Sequence, residues 1–305
     1  MTTRDDAQDT STTTDTGATT TTDTGATTTT GGGAATTTTG GDASAATTTD
    51  TGAATTTGGG AARRRTAVVT GASAGIGEAT ALSRAEDGWD VVVAARRRER
   101  LETVATACRD LGATAHPIEL DVTDQASIDR FAAAVRALGG GVDLLVNNAG
   151  GARGLDPVLD ADVDDWRWMF EANVMGTLQV TRALFDELAA GVAPQVINVV
   201  SVAGRGAYRG GAGYNAAKFG ETALTDVMRM EFAERGVRVC QIDPGRVATD
   251  FSLNRFKGDA ARAEEVYADK ENLVAGDIAE AIRWVAARPA HMDVESMMIR
   301  PIDQV

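Results

Sequence analysis

Only two cysteines, Cys108 and Cys240, occur in the chain, too few and too far apart for a disulfide framework or a zinc site. Both read as buried thiols. The two histidines, His116 and His291, have no metal-ligand neighbour in sequence and read as structural or surface residues, so no metal is expected. Lysine is nearly as scarce, since Lys218, Lys257 and Lys270 are outnumbered by arginine 26 to 3. No run approaches the ~18 apolar residues of a membrane helix. The N-terminus lacks the apolar core of a signal peptide, and the chain reads as cytoplasmic. Positive charge is in deficit, with 43 acids against 29 bases and a net charge of −14. Such a surface lacks the concentrated basic face that phosphate backbones need, which argues against nucleic acid and anionic membranes as partners. The arginine bias with the acid excess resembles proteins of salt-loving microbes; a GC-rich genome is the alternative source.

No Leu, Ile, Val, Phe, Trp or Tyr occurs before Val68. Residues 1–62 are nearly all Thr, Gly, Ala and Asp, and Asp15-Thr-Gly-Ala-Thr-Thr-Thr-Thr recurs from Asp23. With no apolar surface to offset the entropy of ordering, this low-complexity tail is expected to be disordered. Its threonine content would suit a glycosylated stalk, which the missing secretion signal disfavours. A mistaken start is the favoured explanation for a fold that begins abruptly at Arg63-Arg-Arg-Thr-Ala-Val-Val. Residues 63–305, still near −8, suit one α/β domain and leave no room for a second substrate domain.

From Thr66 onward, β-branched runs alternate with longer amphipathic stretches. Strands are predicted over 67–70, 90–95, 114–120, 143–146, 195–200, 237–242 and 296–299. Helices are predicted over 76–86, 98–111, 125–138, 164–190, 213–235 and 277–287. The third helix shows Ile128, Phe131, Val135 and Leu138 at the spacing of one apolar face. Seven strands and six crossovers give an α/β class: a single doubly wound Rossmann-type three-layer αβα sandwich with a mainly parallel seven-stranded sheet.

The first strand ends in Thr70-Gly71-Ala72-Ser73-Ala74-Gly75-Ile76-Gly77 and runs directly into a helix. Glycines there let the backbone turn tightly and approach a pyrophosphate, while the helix N-terminus supplies free N–H groups and positive potential. The spacing G-x-x-x-G-x-G, with Asn147-Asn148-Ala149-Gly150 after the fourth strand, resembles the short-chain dehydrogenase/reductase superfamily over the whole chain beyond the tail. That resemblance implies roles in dinucleotide binding for Gly71, Ser73, Gly75, Ile76 and Gly77, for Asn148, Ala149 and Gly150, and for the adenine-pocket pair Asp121 and Val122. A helix cap near Thr123 is the alternative for Asp121.

Cofactor choice is read at the end of the second strand, where an acid would accept the ribose hydroxyls of NAD. Ala95 stands at that position and Arg96-Arg97-Arg98 follows. A guanidinium fork can hold a 2′-phosphate, so NADP(H) is expected, with Arg96 and Arg97 as ligands and Ser73 beside them. A solvated charge run opening a helix is the alternative.

Tyr214-Asn-Ala-Ala-Lys218 places a phenol and an ammonium four residues apart, on one face of a helix. A phenol near pKa 10 is a poor base at neutral pH, and an ammonium nearby favours the phenolate, so a lowered Tyr214 pKa is expected. Ser201 lies thirteen residues before Tyr214, at the end of the strand Val196–Val200. In the resembling family this serine hydrogen-bonds the substrate oxygen, and Asn173 in Phe-Glu-Ala-Asn-Val matches an asparagine whose backbone holds a water joining the lysine to solvent. The resemblance therefore implies a catalytic tetrad of Asn173, Ser201, Tyr214 and Lys218. Tyr214 and Lys218 would also contact the cofactor, and Pro244, Gly245, Val247 and Thr249 would border the nicotinamide.

Phe251-Ser-x-x-Arg-Phe-Lys-Gly-Asp259, Pro289-Ala-His and the Pro-x-x-Gln ending resemble one subgroup, the NADP-dependent 3-hydroxy acid dehydrogenases. The resemblance implies a small hydroxy acid or carbonyl substrate such as serine or 3-hydroxypropionate, a homotetramer, and a C-terminal segment packed across a subunit interface. A 3-oxoacyl or general carbonyl reductase is the second reading, and a non-catalytic dinucleotide sensor a third. A sugar-nucleotide epimerase is disfavoured, because no residues remain for its substrate-binding extension. Residues 251–269 are expected to form a lid. A 3-hydroxy acid needs a cation for its carboxylate; Arg153, Arg205, Arg209 and Arg246 are candidates, Arg205 or Arg209 favoured, and any of them could instead be solvated.

Overall fold

The computed structural model describes residues 63–304, so the expected disorder of residues 1–62 lies outside the described residues. Seven strands form one sheet: β1 (Thr66–Thr70), β2 (Asp90–Ala95), β3 (Ala115–Glu119), β4 (Leu144–Asn147), β5 (Gln195–Val199), β6 (Arg238–Pro244) and, last in the chain, Ser296–Ile299. Their order in space is β3-β2-β1-β4-β5-β6 and then Ser296–Ile299, with every pairing parallel. The order reverses between β1 and β4, and crevices for ligands open at the carboxyl ends of strands at such a switch point.

The strands read as near-continuous apolar runs because both faces of the sheet are covered. Ala67, Val69, Val91 and Val93 face one buried cluster, while Val68, Val92 and Leu145 face the other. The first cluster takes in α1 (Gly75–Glu86) and α2 (Arg98–Asp110). Against the second lie α3 (Gln125–Leu138) and the later helices of the opposite layer. Of the four residues expected on the apolar face of α3, Ile128, Phe131 and Val135 are buried, while Leu138, at the helix end, is exposed; Asp124 caps the helix by accepting from the Ala126 N–H at 3.0 Å. At the N-terminal border the buried Asp143 carboxylate accepts from both Arg63 guanidinium nitrogens at 2.9 Å and from the Thr66 N–H at 2.7 Å.

The continuous helix expected over 164–190 is broken. It runs as α4 (Val163–Phe170), a π-turn over Glu171–Met175, α5 (Gly176–Ala183) and α6 (Phe185–Ala189). A π-turn bonds i→i+5 and adds one residue to the helix, and Glu171–Met175 contains no glycine or proline to mark it. The long helix α7 (Ala212–Ala233) follows β5, and its buried face carries Tyr214, Lys218, Glu221, Thr225 and Met228. After β6 come a small parallel pair, β7 (Val247–Ala248) with β8 (Leu273–Val274), and between them the short helices α8 (Phe251–Arg255) and α9 (Ala260–Tyr267). The last helix is α10 (Ala275–Ala286), and the final strand is then β9 (Ser296–Ile299). No helix among the described residues is long and apolar enough to cross a membrane.

Candidate active site

A cleft of about 410 Å³ lies at the carboxyl ends of β1, β2 and β4. Its floor is the β1–α1 turn, where Gly71 (φ +65°) and Gly75 (φ +60°) adopt backbone that side chains disfavour. Gly77 is required for a different reason: a Cβ there would lie 2.5 Å from both the Asn148 amide nitrogen and the Gly71 carbonyl oxygen. Asn148 donates from Nδ2 to the Thr70 carbonyl at 2.9 Å, and Thr70 Oγ1 accepts from the backbone N–H groups of Asn148 and Ala149. The Asn-Asn-Ala-Gly segment thus pins the end of β4 to the glycine turn. Asn147 points the other way, donating to Thr181 and Asn198, and Asn198 in turn donates to Thr225 on α7. This satisfied polar ladder fixes β4 and β5 against the helix that carries Tyr214.

Ile76, Ala95, Arg96, Arg97, Asp121, Val122, Asn148, Ala149, Gly150 and Thr249 line the same cleft. Ala95 is buried, whereas Arg96 and Arg97 are exposed over the opening. Arg97 donates from Nε and Nη2 to Ser73 Oγ at 3.2 and 2.9 Å. Neither Arg96 nor Arg97 has a carboxylate partner among the described residues. The Asp121 carboxylate accepts from the Thr123 backbone and hydroxyl, closing a local turn, while the helix cap is Asp124. An anion at this end would find two unpaired guanidinium groups, the N-terminus of α1 and a backbone made accessible by glycine. These features fit a phosphorylated dinucleotide.

Beyond the opposite end of the cleft, Ser201 follows β5 and caps a 3₁₀ turn, Val202–Gly204, by accepting from the Ala203 N–H at 3.1 Å. Its hydroxyl donates to the Pro244 carbonyl at 3.5 Å and lies beside the buried phenol of Tyr214. Asn215 holds the intervening loop, donating to the carbonyls of Ala203 and Gly206 at 2.8 and 3.0 Å. The Lys218 ammonium lies 5.8 Å from the Tyr214 ring centre and donates to the Val199 carbonyl at 3.3 Å. Asn173 is fully buried in the π-turn, which packs against α7. Its Nδ2 donates to Met169 O and Gly151 O, and Gly150 lacks a Cβ that would collide with Asn173 Oδ1.

Glu221 joins this group without having been singled out by the sequence. Its carboxylate accepts from Lys218 Nζ at 2.7 Å and from Thr177 Oγ1 at 3.1 Å. Burial pushes the Glu221 carboxyl upward, and the carboxylate beside Lys218 holds that ammonium above its ordinary range although burial opposes it. The lowered Tyr214 pKa expected from spacing is overturned. Burial raises it and outweighs the opposing pull of Lys218. Spacing reports the neighbour but not the desolvation, and part of the lysine's field is cancelled by Glu221.

Pro244 and Gly245 form a turn after β6 that packs under the C-terminus. A Cβ on Gly245 would meet the Gln304 side chain, and Gln304 Oε1 accepts from the Arg246 N–H at 2.7 Å. Val247 is buried within β7, and the Thr249 carbonyl accepts from the Tyr267 hydroxyl at 3.3 Å.

The arginines sort differently from expectation. Arg205 donates to the buried Asp243 carboxylate at 2.8 Å, so its guanidinium is engaged beneath the site. Arg209 is exposed, and Arg246 is held by Asn272, the Glu271 carbonyl and Asp303. Arg153 lies over the Trp168 ring at 4.0 Å and beside Asp165 at 3.5 Å. Arg255, on none of the expected positions, packs 5.7 Å from the Tyr214 ring centre.

With this geometry in view, the likenesses of the chain are specific. The profile of the short chain dehydrogenase family matches residues 65–260. An uncharacterised oxidoreductase of Mycobacterium tuberculosis is 49% identical over 242 residues, 79% of this chain and 93% of the relative. The NADP-dependent 3-hydroxy acid dehydrogenase of Salmonella typhi is 37% identical over 238 residues, covering 78% and 95%. A serine dehydrogenase solved in its closed form with NADP+ superposes with a TM-score of 0.74 at 35% identity, covering 79% of this chain and 96% of that one. A family profile matched across more than half of the chain and relatives this similar over most of their length agree with the parallel sheet and its switch-point cleft: the chain belongs to the short-chain dehydrogenase family.

Proposed function

We propose that this protein is an NADP(H)-dependent oxidoreductase that interconverts small 3-hydroxy acids, such as serine or 3-hydroxypropionate, and their carbonyl counterparts. The observation that carries the reading is the grouping of Ser201, Tyr214 and Lys218, with Tyr214 packed 5.7 Å from Phe251 of the cleft lining, together with a glycine cradle overlooked by two guanidinium groups that have no carboxylate partner among the described residues. Similarity to an NADP-dependent 3-hydroxy acid dehydrogenase and to a serine dehydrogenase supports the substrate class.

Arg96 and Arg97, the latter oriented by Ser73, would hold the 2′-phosphate, and the α1 N-terminus with Gly71, Gly75, Ile76 and Gly77 the pyrophosphate. Asp121 and Val122 would border the adenine, and Asn148, Ala149 and Gly150 the ribose side. Pro244, Gly245, Val247 and Thr249 would form the nicotinamide end. When bound, the nicotinamide supplies the hydride acceptor or donor. In oxidation Tyr214, as phenolate, takes the hydroxyl proton; in reduction its phenol returns one to the same oxygen. The Ser201 hydroxyl donates to that oxygen as negative charge develops on it. The Lys218 ammonium stabilises the phenolate, and Asn173 holds the π-turn beside it.

Residues 63–305 are the proposed catalytic domain, working in the cytoplasm as a homo-oligomer. Two apolar patches support association: Phe170, Phe219, Val227 and Met230 are exposed on α4 and α7, and Trp284, Met298 and Ile302 near the C-terminal edge. The experiment is to follow reduced-cofactor absorbance with L-serine, 3-hydroxypropionate and a neutral secondary alcohol, each with NADP+ and NAD+. Turnover of the acids with NADP+ is expected. Turnover of the neutral alcohol alone would discard the 3-hydroxy acid assignment.

A further inference from the structure

We infer that Arg255 is the anchor for the substrate carboxylate, fixing which end of a 3-hydroxy acid faces Tyr214. The inference rests on the 3-hydroxy acid reading above and adds the residue that would impose it. Arg255 closes α8, and its Nε donates to the Gly154 carbonyl at 2.8 Å while its own carbonyl accepts from the Gly154 N–H at 3.0 Å. These bonds fix the guanidinium between two phenol rings, 5.7 Å from the centre of Tyr214 and 5.6 Å from that of Tyr208.

Within this clamp Nη2 is buried and has no hydrogen-bond partner among the described residues. Arg255 also has no carboxylate within ion-pair distance there. An unpaired buried cationic donor is costly, and an anion drawn to it gains a charge-assisted bond in a dry setting. Three carboxylates also line the recess, and of these Asp156 has no ion-pair partner among the described residues. Asp165 is paired with Lys257 at 2.7 Å and with Arg153 at 3.5 Å, and Asp162 caps α4 through the Asp164 N–H.

Tyr214 and Arg255 together line a recess of about 10 Å³, space for one water-sized group and hence for a terminal oxygen, not for a whole substrate. Arg153 lines both this recess and the main cleft, so the two adjoin at that residue. With C–C bonds of about 1.5 Å, the hydroxyl and carboxylate of a 3-hydroxy acid sit about 4 Å apart. Such a substrate can meet Tyr214 at one end and, at the other, the guanidinium packed against the same ring. A neutral ketone would leave Nη2 unpaired.

The test compares the full-length enzyme with Arg255→Met and Arg255→Lys, using 3-hydroxybutyrate and its methyl ester with NADP+. Arg255→Met is expected to lower kcat/KM for the acid roughly 10- to 100-fold more than for the ester, mainly through KM, with Arg255→Lys recovering part of the loss. Equal losses for acid and ester would overturn the anchor while leaving the substrate reading intact. Calorimetry of malonate binding to the enzyme–NADP+ complex separates the two ideas. Malonate bound by the parent enzyme and weakened by a similar factor in Arg255→Met supports the anchor even if 3-hydroxybutyrate is not turned over, and unchanged or absent malonate binding refutes it.

Discussion

Lys218 Nζ and Glu221 Oε2 lie 2.7 Å apart with both side chains buried, so the ammonium beside Tyr214 faces a carboxylate as well as a phenol. The pairing has a measurable consequence, because a lysine whose charge is shared stabilises a phenolate less than a free one. Oxidation requires Tyr214 deprotonated, and burial raises its pKa, so the oxidation rate should climb as pH rises into the alkaline range. Reduction requires the protonated phenol, so it should hold steady while the phenol stays protonated and fall as pH passes through the same ionisation. Glu221→Gln removes the competing negative charge and should move the midpoint of the oxidation profile down by about one pH unit, which corresponds to about 1.4 kcal/mol. A midpoint that stays in place or rises would show that Glu221 serves only the fold. The same change removes one partner of a buried pair and should lower stability by about 3–5 kcal/mol, measurable by urea unfolding.

Cofactor discrimination follows from the end of β2. Arg96 and Arg97 are exposed over the cleft without carboxylate partners, while the buried Ala95 stands where an acid would meet a ribose. Each charge-assisted phosphate bond contributes about 1.5–3 kcal/mol, so Arg96→Ala with Arg97→Ala should raise KM for NADP+ roughly 100-fold or more and barely change KM for NAD+. Adding Ala95→Asp should repel the phosphate and reverse the preference. Equal changes with both cofactors would mean that these arginines form a solvated face.

Much of this was legible from local pattern, and the rest depends on long-range contacts. The strand Asp90–Ala95 and the helix Gln125–Leu138 have the bounds that β-branching and apolar spacing predict, although Leu138, the last apolar residue of the helix pattern, is exposed. The glycine turn and the Tyr214–Lys218 spacing are equally local. The π-turn at Glu171–Met175 escaped, since no glycine or proline marks it and the contact that accompanies it is long-range: Asn173 reaches across to Gly151. Glu221 stands one turn beyond Lys218, so its i,i+3 spacing could have revealed it. Arg255 stands in the Phe-Ser-x-x-Arg-Phe-Lys-Gly-Asp stretch that carries the subgroup resemblance, but its role was not legible there, for only the fold brings it to Tyr214. Arg205 looked free in sequence but meets Asp243, thirty-eight residues away, at the end of the neighbouring strand.

Reactivity of the two thiols is predicted from burial. Desolvation pushes Cys108 up to about 11 and Cys240 up to about 12, and both side chains are buried. Thiolate is the reactive species, so neither should react with a disulfide reagent in the native protein at neutral pH. Both should react after unfolding in urea. Rapid labelling of one thiol in the native state would show that its layer opens locally, since the static structure exposes neither.

Two glycines offer opposite outcomes for the same substitution. In a helix interior alanine is favoured over glycine by about 1 kcal/mol, so Gly77→Ala in α1 would stabilise if space allowed. Space is absent, because the added Cβ would lie 2.5 Å from the Gly71 carbonyl oxygen and from Asn148 Nδ2. The backbone oxygen cannot swing aside, and overpacking costs about 1–3 kcal/mol or more, which exceeds the helix gain. Gly206, in the loop after Ser201, has open space around the equivalent Cβ. Gly206→Ala should therefore stay within about 0.5 kcal/mol of the parent. Gly77→Ala should lower Tm and weaken NADP+ binding together, since relief of the clash must shift either the α1 N-terminus or the Asn148 segment that lines the cleft. Thermal unfolding with and without NADP+ distinguishes the cases, and a Gly77→Ala protein with parental Tm and cofactor affinity would refute the close approach.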